Sequence, residues 1–314
     1  MSESAGGAAF KEDGCNYMTK EERLAFFKMI TPREFDSSRI RNKVLNVSYG
    51  LLPEHLADIY MPETGAGPFP VIFYVHGGGW TQGSKTEGFL DGIIGAVDSG
   101  YAVVSVDYRL APKVSFPEFL FDIKTAVRWA RAKAGEYGFD PDRFAMTGDS
   151  AGGHLTLMAG FTAGRPEYSD AKYGFAGYSD ELQAICDMYG PSVLAGPTAR
   201  FYLDSGVKRV ARDAANRPDD YEVAFGTANP NLLTLISPIR HVHKDIPPTL
   251  IMHGVQDGVV PYQHSTLLFE KIKEVCGEGK AELVLYEDRN HADFAFNTKE
   301  NCDTVLKFFD KYLK

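Results

Sequence analysis

Short apolar runs alternate with longer, helix-length segments over most of this 314-residue chain. Runs of this length that are rich in Val, Ile and Met are typical of strands buried on both faces of a parallel sheet. They lie at Val71–Val75, Ala102–Val106, Phe144–Met146, Ala184–Met188, Thr249–Met252 and Leu283–Tyr286. Before them, Val44–Tyr49 and Ala57–Tyr60 predict an antiparallel edge. The pattern predicts an α/β fold, with a mostly parallel twisted sheet of about eight strands and helices on both faces.

The predicted helices and the remaining segments suggest one main domain. Helical spacing of apolar residues predicts helices over Glu118–Tyr137, Tyr262–Val275 and Thr304–Leu313. We expect residues 43–314 to form this domain, with an insertion at about 194–235 that fits neither period. Residues 1–42 form a predicted N-terminal extension, in which a cap helix or a surface helix carries an apolar stripe of Leu24, Phe26, Phe27 and Ile30.

Composition excludes several classes of function. The chain has 33 basic and 42 acidic residues, a formal net charge of −9, so we expect no nucleic-acid partner. The first ten residues lack the pattern of a secretory signal, and no apolar run reaches a membrane span, so we expect a cytoplasmic protein without a membrane partner. The four cysteines are scattered and the histidines lack clustered ligands, which predicts free thiols, no metal and no cofactor. A homodimer is left open.

A Gly-x-Ser-x-Gly motif, Gly148–Gly152, stands between a predicted strand and a helix-compatible run. In a nucleophile elbow the serine occupies a strained turn, and glycines two residues to either side avoid clashes with neighbouring backbone. The helix that follows directs N–H groups toward developing negative charge. Ser150 is therefore the predicted nucleophile.

A glycine-rich loop, His76–Trp80, follows the predicted strand Val71–Val75. Backbone N–H groups in such a loop approach a tetrahedral oxyanion closely because no side chains intervene. We predict Gly77 and Gly78 as oxyanion donors, together with the N–H of Ala151. His76 itself is interpreted as a residue that braces the loop.

Two further residues complete a predicted catalytic triad in the order Ser, Asp, His. Asp257 follows the strand Thr249–Met252, and His291 follows the strand Leu283–Tyr286, so both reach the sheet edge where Ser150 is expected. An imidazole removes the serine proton, and a carboxylate orients the imidazole and stabilises its cation. Asp293 competes with Asp257 for the acid role, but it lies only two residues after the histidine.

These motifs together carry a family resemblance over roughly residues 43–314. The sequences His-Gly-Gly-Gly-Trp, Asp107–Pro112 and Gly-Asp-Ser-Ala-Gly-Gly resemble those of hormone-sensitive-lipase-like esterases of the α/β-hydrolase fold. The segments Tyr49-Gly50, Ala57–Pro62, Ser237-Pro238 and Pro247–Gly254 are similar to those of bifunctional feruloyl and acetyl-xylan esterases.

The resemblance implies a serine esterase that cleaves short-chain or carbohydrate-linked acetyl and feruloyl esters, with the same triad and oxyanion donors. The partner it implies is a small-molecule ester. Trp80 departs from many lipase-like members and is a predicted substrate-binding residue. Kynurenine formamidases share a His-Gly-Gly-x-Trp pattern, so hydrolysis of an N-formyl amide is an alternative. A non-catalytic binding protein of this fold is a second alternative, which the intact triad disfavours.

Overall fold

One eight-stranded sheet organises the computed structural model, which describes residues 34–194, 225 and 229–314. The sheet order is β1-β2-β4-β3-β5-β6-β7-β8; β2 pairs antiparallel with both β1 and β4, and the other neighbouring strands pair in parallel. The prediction of a mostly parallel sheet with an antiparallel edge is confirmed. The strands are β1 (Lys43–Ser48), β2 (Leu56–Tyr60), β3 (Phe69–Val75), β4 (Ala102–Val106), β5 (Phe139–Asp149), β6 (Ala184–Met188), β7 (Thr249–Gly254) and β8 (Ala281–Tyr286).

Helices cover both faces of this sheet, and adjacent residues of one strand show how. Phe73 of β3 belongs to the apolar core on one face, whereas Ile72 and Tyr74 belong to the core on the other. Residues of α1, α3 and α5 line the first core, and residues of α6 line the second. The α-helices of the described residues are α1 (Glu118–Ala132), α2 (Ala134–Tyr137), α3 (Ala151–Phe161), α4 (Pro230–Leu235), α5 (Gln263–Cys276) and α6 (Lys299–Leu313).

Some element boundaries differ from those that the sequence predicts. The helix predicted over Glu118–Tyr137 is divided at Lys133, which leaves helical geometry with a φ of −104°. Strand β5 begins at Phe139 rather than Phe144, because Phe139 pairs with Phe69 before an irregularity that accommodates the polar residues between. The predicted cap helix and most of the predicted insertion lie outside the described residues.

A buried charged network joins the edge of the sheet to α1. Asp122, fully buried in α1, accepts hydrogen bonds from the backbone N–H of Arg109 at 3.0 Å and from its guanidinium at 2.6 Å. His55, which precedes β2, lies 2.9 Å from the same carboxylate. Burial opposes ionisation of Asp122, but its hydrogen bonds to His55 and Arg109 hold the pKa of the carboxyl below its usual value. The Asp-Tyr-Arg-Leu-Ala-Pro motif therefore anchors the loop after β4.

We expect Asp122→Ala to lower the free energy of unfolding by about 3–5 kcal/mol, because it removes the buried carboxylate that both Arg109 and His55 contact and leaves Arg109 with Glu118 as its remaining ion-pair partner. Urea unfolding of the purified variant measures this loss. Asp303→Ala is the control, since it removes the exposed ion pair with Lys299 and should change stability little. Equal losses in the two variants would contradict the structural role given to Asp122.

Candidate active site

Three loops at the carboxyl edge of the sheet bring Ser150, His291 and Asp257 into one chain of contacts. Ser150 follows β5, Asp257 lies in the loop after β7, and His291 lies in the loop after β8. His291 Nε2 is 3.0 Å from Ser150 Oγ, and His291 Nδ1 is 2.7 Å from Asp257 Oδ2. The structure therefore places these three predicted residues together, with the ring of His291 between the hydroxyl and the carboxylate.

The turn that carries Ser150 is strained and tightly packed. Ser150 has φ 52° and ψ −116°, and its N–H donates to the carbonyl of Met188 at 2.9 Å. A Cβ on Gly152 would lie 2.0 Å from the carbonyl oxygen of Val75, which excludes any larger residue there without backbone movement. These features hold the Ser150 hydroxyl at the start of α3, where the helix presents its unpaired N–H groups.

Asp257 is held as a carboxylate from both sides. Its Oδ1 accepts hydrogen bonds from the N–H groups of Val259 and Val260, at 2.8 and 2.7 Å. Burial opposes its ionisation, but the nearby His291 and the hydrogen bonds from His253 and His291 outweigh this and lower the pKa of Asp257 well below its usual value. The group beside His291 Nδ1 is therefore an anion with a fixed orientation.

Asp293, the competing acid, has a different local role. Its side chain accepts a hydrogen bond from the N–H of Ala295 at 2.8 Å and caps the short 3₁₀ helix Phe294–Asn297. The carboxylate that contacts His291 Nδ1 is that of Asp257. The geometry thus separates a capping residue from a residue positioned for acid–base chemistry.

The glycine-rich loop after β3 is braced by aromatic and imidazole groups. Gly78 has a φ of 97°, a conformation open to glycine and disfavoured for other residues. The ring of His76 stacks on that of Tyr108 with centroids 4.3 Å apart, and His76 Nδ1 lies 2.9 Å from the carbonyl oxygen of Gly77. The hydroxyl of Tyr108 donates to the carbonyl of His76 at 3.0 Å. These contacts fix the loop beside the elbow before any substrate arrives.

Asp149 also lies at this site, although the sequence motifs gave it no role. Its carboxylate accepts a hydrogen bond from the hydroxyl of Tyr74 at 2.7 Å. Burial raises the pKa of Asp149 to about 6, although the Tyr74 hydroxyl, the neighbouring His291 and the Gly77 amide oppose this rise. The Gly77 amide therefore stabilises the charged form of Asp149, and its role as an oxyanion donor stays a prediction.

Trp80 lies next to the glycine loop but is largely enclosed. Only 7% of the residue is exposed, and it adopts a positive φ of 60°. Its ring centroid is 4.7 Å from that of Phe225 and 5.3 Å from that of His154. Burial lowers the pKa of His154 to about 4, so this imidazole is neutral at physiological pH. Trp80 therefore forms part of an aromatic cluster behind the loop, and its contact with substrate stays a prediction.

Residues 34–194, 225 and 229–314 contain no group of three or more His, Cys, Asp or Glu side chains placed to bind a metal ion. Across the same ranges, no helix has both the length and the apolar character that crossing a bilayer would need.

Several known proteins of similar sequence carry the name of an esterase. A family model described as BD-FAE matches residues 57–272. Esterase LipC of Mycobacterium tuberculosis (strain ATCC 25618 / H37Rv) is 30% identical over 231 residues, which cover 73% of this chain and 55% of LipC. The chain spans about half the length of the curated relatives it matches.

Two solved structures share the fold over nearly the whole chain. A truncated form of a carbohydrate esterase from gut microbiota superposes with a TM-score of 0.72 at 26% identity, covering 90% of this chain and 100% of that one. A bifunctional GH43-CE protein of Bacteroides eggerthii gives a TM-score of 0.75 at 23% identity, covering 89% of this chain and 39% of that one. The family match and the shared architecture agree with the resemblance seen in the sequence motifs. The chain therefore belongs to the BD-FAE esterase family and has the α/β-hydrolase fold.

Proposed function

We propose that this protein is a serine carboxylic ester hydrolase that works through an acyl-enzyme on Ser150. The observation that carries the proposal is the continuous contact from Ser150 Oγ through His291 to Asp257, at 3.0 and 2.7 Å. The names of the relatives, among them Esterase LipC, support ester hydrolysis as the reaction. We further propose that residues 43–314 form the catalytic domain, since β1 to α6 contribute one sheet and its covering helices.

The first half of the reaction transfers the acyl group to the enzyme. Ser150 Oγ attacks the ester carbonyl carbon while His291 Nε2 accepts the hydroxyl proton. The carboxylate of Asp257 stabilises the imidazolium that forms and keeps Nδ1 protonated. When the tetrahedral intermediate collapses, the bond to the leaving oxygen breaks, and His291 returns its proton to that oxygen to release the alcohol.

Backbone N–H groups around Ser150 stabilise the oxyanion formed in this step. Ala151 supplies one from the start of α3, and Gly78 supplies another from the glycine loop. Since the Gly77 amide stabilises the charge of the Asp149 carboxylate, we propose Gly79 as the third donor in place of Gly77. Among the described residues, a Cβ on Gly79 would meet only Thr81 Oγ1, at 4.0 Å, so there is room beside this residue.

The second half of the reaction repeats these roles with water. His291 Nε2 accepts a proton from a water molecule, whose oxygen attacks the acyl carbon bound to Ser150. The second tetrahedral intermediate collapses with transfer of that proton to Ser150 Oγ, which releases the carboxylic acid and restores the free enzyme. Each proton taken by His291 is thus returned, and the chain's own side chains and amides supply every group used in this cycle.

The proposed substrates are short-chain or carbohydrate-linked esters, with acetyl or feruloyl acyl groups. The family match and the similarity to a carbohydrate esterase from gut microbiota support this class. The enclosed position of Trp80, with Phe225 and His154 around it, is consistent with a compact site that favours small acyl groups. We propose a small-molecule ester as the partner.

A turnover panel tests the substrate class. We expect kcat/KM to decrease from p-nitrophenyl acetate to the decanoate, and we expect methyl ferulate and acetylated xylo-oligosaccharides to be hydrolysed. Each substrate is also offered to Ser150→Ala, which corrects for spontaneous hydrolysis. If N-formylkynurenine is cleaved with a kcat/KM well above that of every ester, the Trp80 pattern indicates an amide hydrolase and the ester proposal is wrong.

A further inference from the structure

A second histidine contacts the carboxylate of Asp257 from inside the sheet. His253 lies in β7, four residues before Asp257, and has no exposed surface. Its Nε2 lies 2.8 Å from the carbonyl oxygen of Val260 and 3.2 Å from Asp257 Oδ2. On the far side of the ring, Nδ1 lies 2.6 Å from the hydroxyl of Ser265 in α5.

These neighbours determine where the proton of His253 lies. Nε2 faces two oxygen acceptors, the carbonyl of Val260 and the carboxylate of Asp257, so Nε2 carries a hydrogen. In the neutral ring Nδ1 is then the acceptor, and the hydroxyl of Ser265 donates to it. The hydrogen-bond chain therefore runs from Ser265 through His253 to Asp257, and from there through His291 to Ser150.

These hydrogen bonds leave Asp257 few alternative orientations. Oδ1 accepts the N–H groups of Val259 and Val260, whereas Oδ2 is shared by His291 Nδ1 at 2.7 Å and His253 Nε2 at 3.2 Å. The shorter contact keeps His291 as the main partner of Oδ2. The longer contact removes part of the negative charge that Oδ2 presents to His291, because a donor on the same oxygen stabilises that charge.

We propose that His253 is a positioning residue for the reaction: its Nε2–H orients Asp257 and limits how strongly that carboxylate stabilises the His291 cation. The proposal rests on the serine hydrolase function given above. A base that is too strongly stabilised as a cation is already protonated at working pH and does not activate Ser150. His253 thus acts through Asp257 and does not touch the reacting atoms.

Removal of the His253 donor is expected to shift the pH profile of the reaction in one direction. Loss of the His253 donor concentrates negative charge on Oδ2, so the His291 cation is stabilised more and the acid limb of kcat/KM moves to higher pH. Among the described residues, the titratable groups that face His291 are Asp257 after β7, Asp149 in β5 and Tyr189 after β6. Burial raises the pKa of Asp149 to about 6, and this carboxyl is common to all the variants. The readout is therefore the difference between variants in the pH of the acid limb of kcat/KM.

Two substitutions at His253 separate positioning from packing. His253→Leu keeps an apolar side chain but removes the donor. We expect it to lower kcat by about 10- to 100-fold and to raise the acid limb by about 0.5–1 pH unit. His253→Gln places an N–H near the position of Nε2, so it should recover most of the lost activity and return the limb toward that of the wild type. The measurement is kcat/KM for p-nitrophenyl acetate between pH 5 and 9, at roughly constant ionic strength.

Two further variants serve as a control and as a milder probe. His243→Gln is the matched control, because His243 Nε2 contacts the carbonyl oxygen of Phe161 at 3.1 Å, away from the hydrogen bonds that join Ser265 to Ser150. It should leave both kcat and the acid limb unchanged. Ser265→Ala removes the hydroxyl that donates to His253 Nδ1, and we expect a smaller shift in the same direction as that of His253→Leu. It keeps the proposal testable if His253→Leu does not fold.

Thermal unfolding and labelling by a fluorophosphonate report the folded fraction and the fraction with a reactive serine. If folded His253→Leu and Ser265→Ala lose activity evenly at every pH without a shift of the limb, His253 contributes packing alone and the proposal is wrong. The same conclusion follows if His253→Gln is no better than His253→Leu. Failure of the hydrolase function looks different, since Ser150→Ala would then retain the turnover of the wild type.

Discussion

Replacing Ser150 with alanine is expected to lower kcat for p-nitrophenyl acetate by about 10⁴-fold or more. The variant lacks the oxygen that would form the acyl-enzyme, while the oxyanion donors and His291 remain. The residual rate then reflects binding and direct attack by water. The elbow should keep its shape, because the Ser150 N–H bond to the Met188 carbonyl is a main-chain contact. Steady-state turnover measures the decrease in kcat, and labelling by a fluorophosphonate measures the loss of the reactive serine.

The control for this variant is Ser48→Ala. Ser48 lies at the end of the edge strand β1, where its hydroxyl donates to the carbonyl of Gly50 at 2.9 Å. We expect wild-type turnover and full labelling from it. A folded Ser150→Ala protein that turns over substrate at a near-normal rate would exclude Ser150 as the nucleophile and, with it, the acyl-enzyme mechanism.

The sequence predicted the sheet well because its strands carry a strong local signal. Runs such as Val71–Val75 and Ala102–Val106 are apolar at nearly every position, as buried parallel strands require, and both are strands in the structure. The start of β5 was missed because Asp140 to Arg143 are polar and include a proline, a composition typical of loops. Its extended backbone depends on pairing of Phe139 with Phe69, a contact distant in sequence.

The sequence indicated the residues of the proposed triad for a similar reason. Ser150, Asp257 and His291 each follow a predicted strand, and the carboxyl ends of parallel strands share one edge. His253 and Asp149 lie inside strands, where a polar residue gives no sign of its partner. Their roles depend on side chains that only the tertiary structure brings close, such as the hydroxyl of Ser265 at 2.6 Å from His253 and that of Tyr74 at 2.7 Å from Asp149.

Asp149 and Asp257 show how partners decide the charge state of a buried acid. Both carboxyl groups are buried, yet the pKa of Asp149 is raised to about 6 and that of Asp257 is lowered. Burial acts on both in the same direction. Asp257 contacts two histidines and two backbone amides, so its partners outweigh the cost of burial, and it remains an anion at low pH. This property is what the imidazolium of His291 requires.

We expect Asp257→Asn to lower kcat by about 10⁴-fold, because the amide reverses the hydrogen bonding around His291. The asparagine oxygen fits the position of Oδ1, which accepts two backbone N–H groups. Its NH₂ group then faces His291 Nδ1 and donates to it. His291 is thereby held as the tautomer with a proton on Nε2, and that nitrogen is unable to accept the proton of Ser150. Steady-state kinetics on the folded variant measure the loss.

Asp293→Asn is the matched control, since it makes the same chemical change two residues after His291. The introduced amide keeps a side-chain oxygen that accepts the N–H of Ala295, so the cap of the 3₁₀ helix survives and kcat should change by less than about threefold. Asp257→Asn changes the charge beside His291 and the tautomer of its ring. Asp293→Asn leaves the contact at 2.7 Å between His291 Nδ1 and Asp257 unchanged. If Asp293→Asn is the crippled variant and Asp257→Asn turns over normally, the acid of the triad has been assigned to the wrong loop.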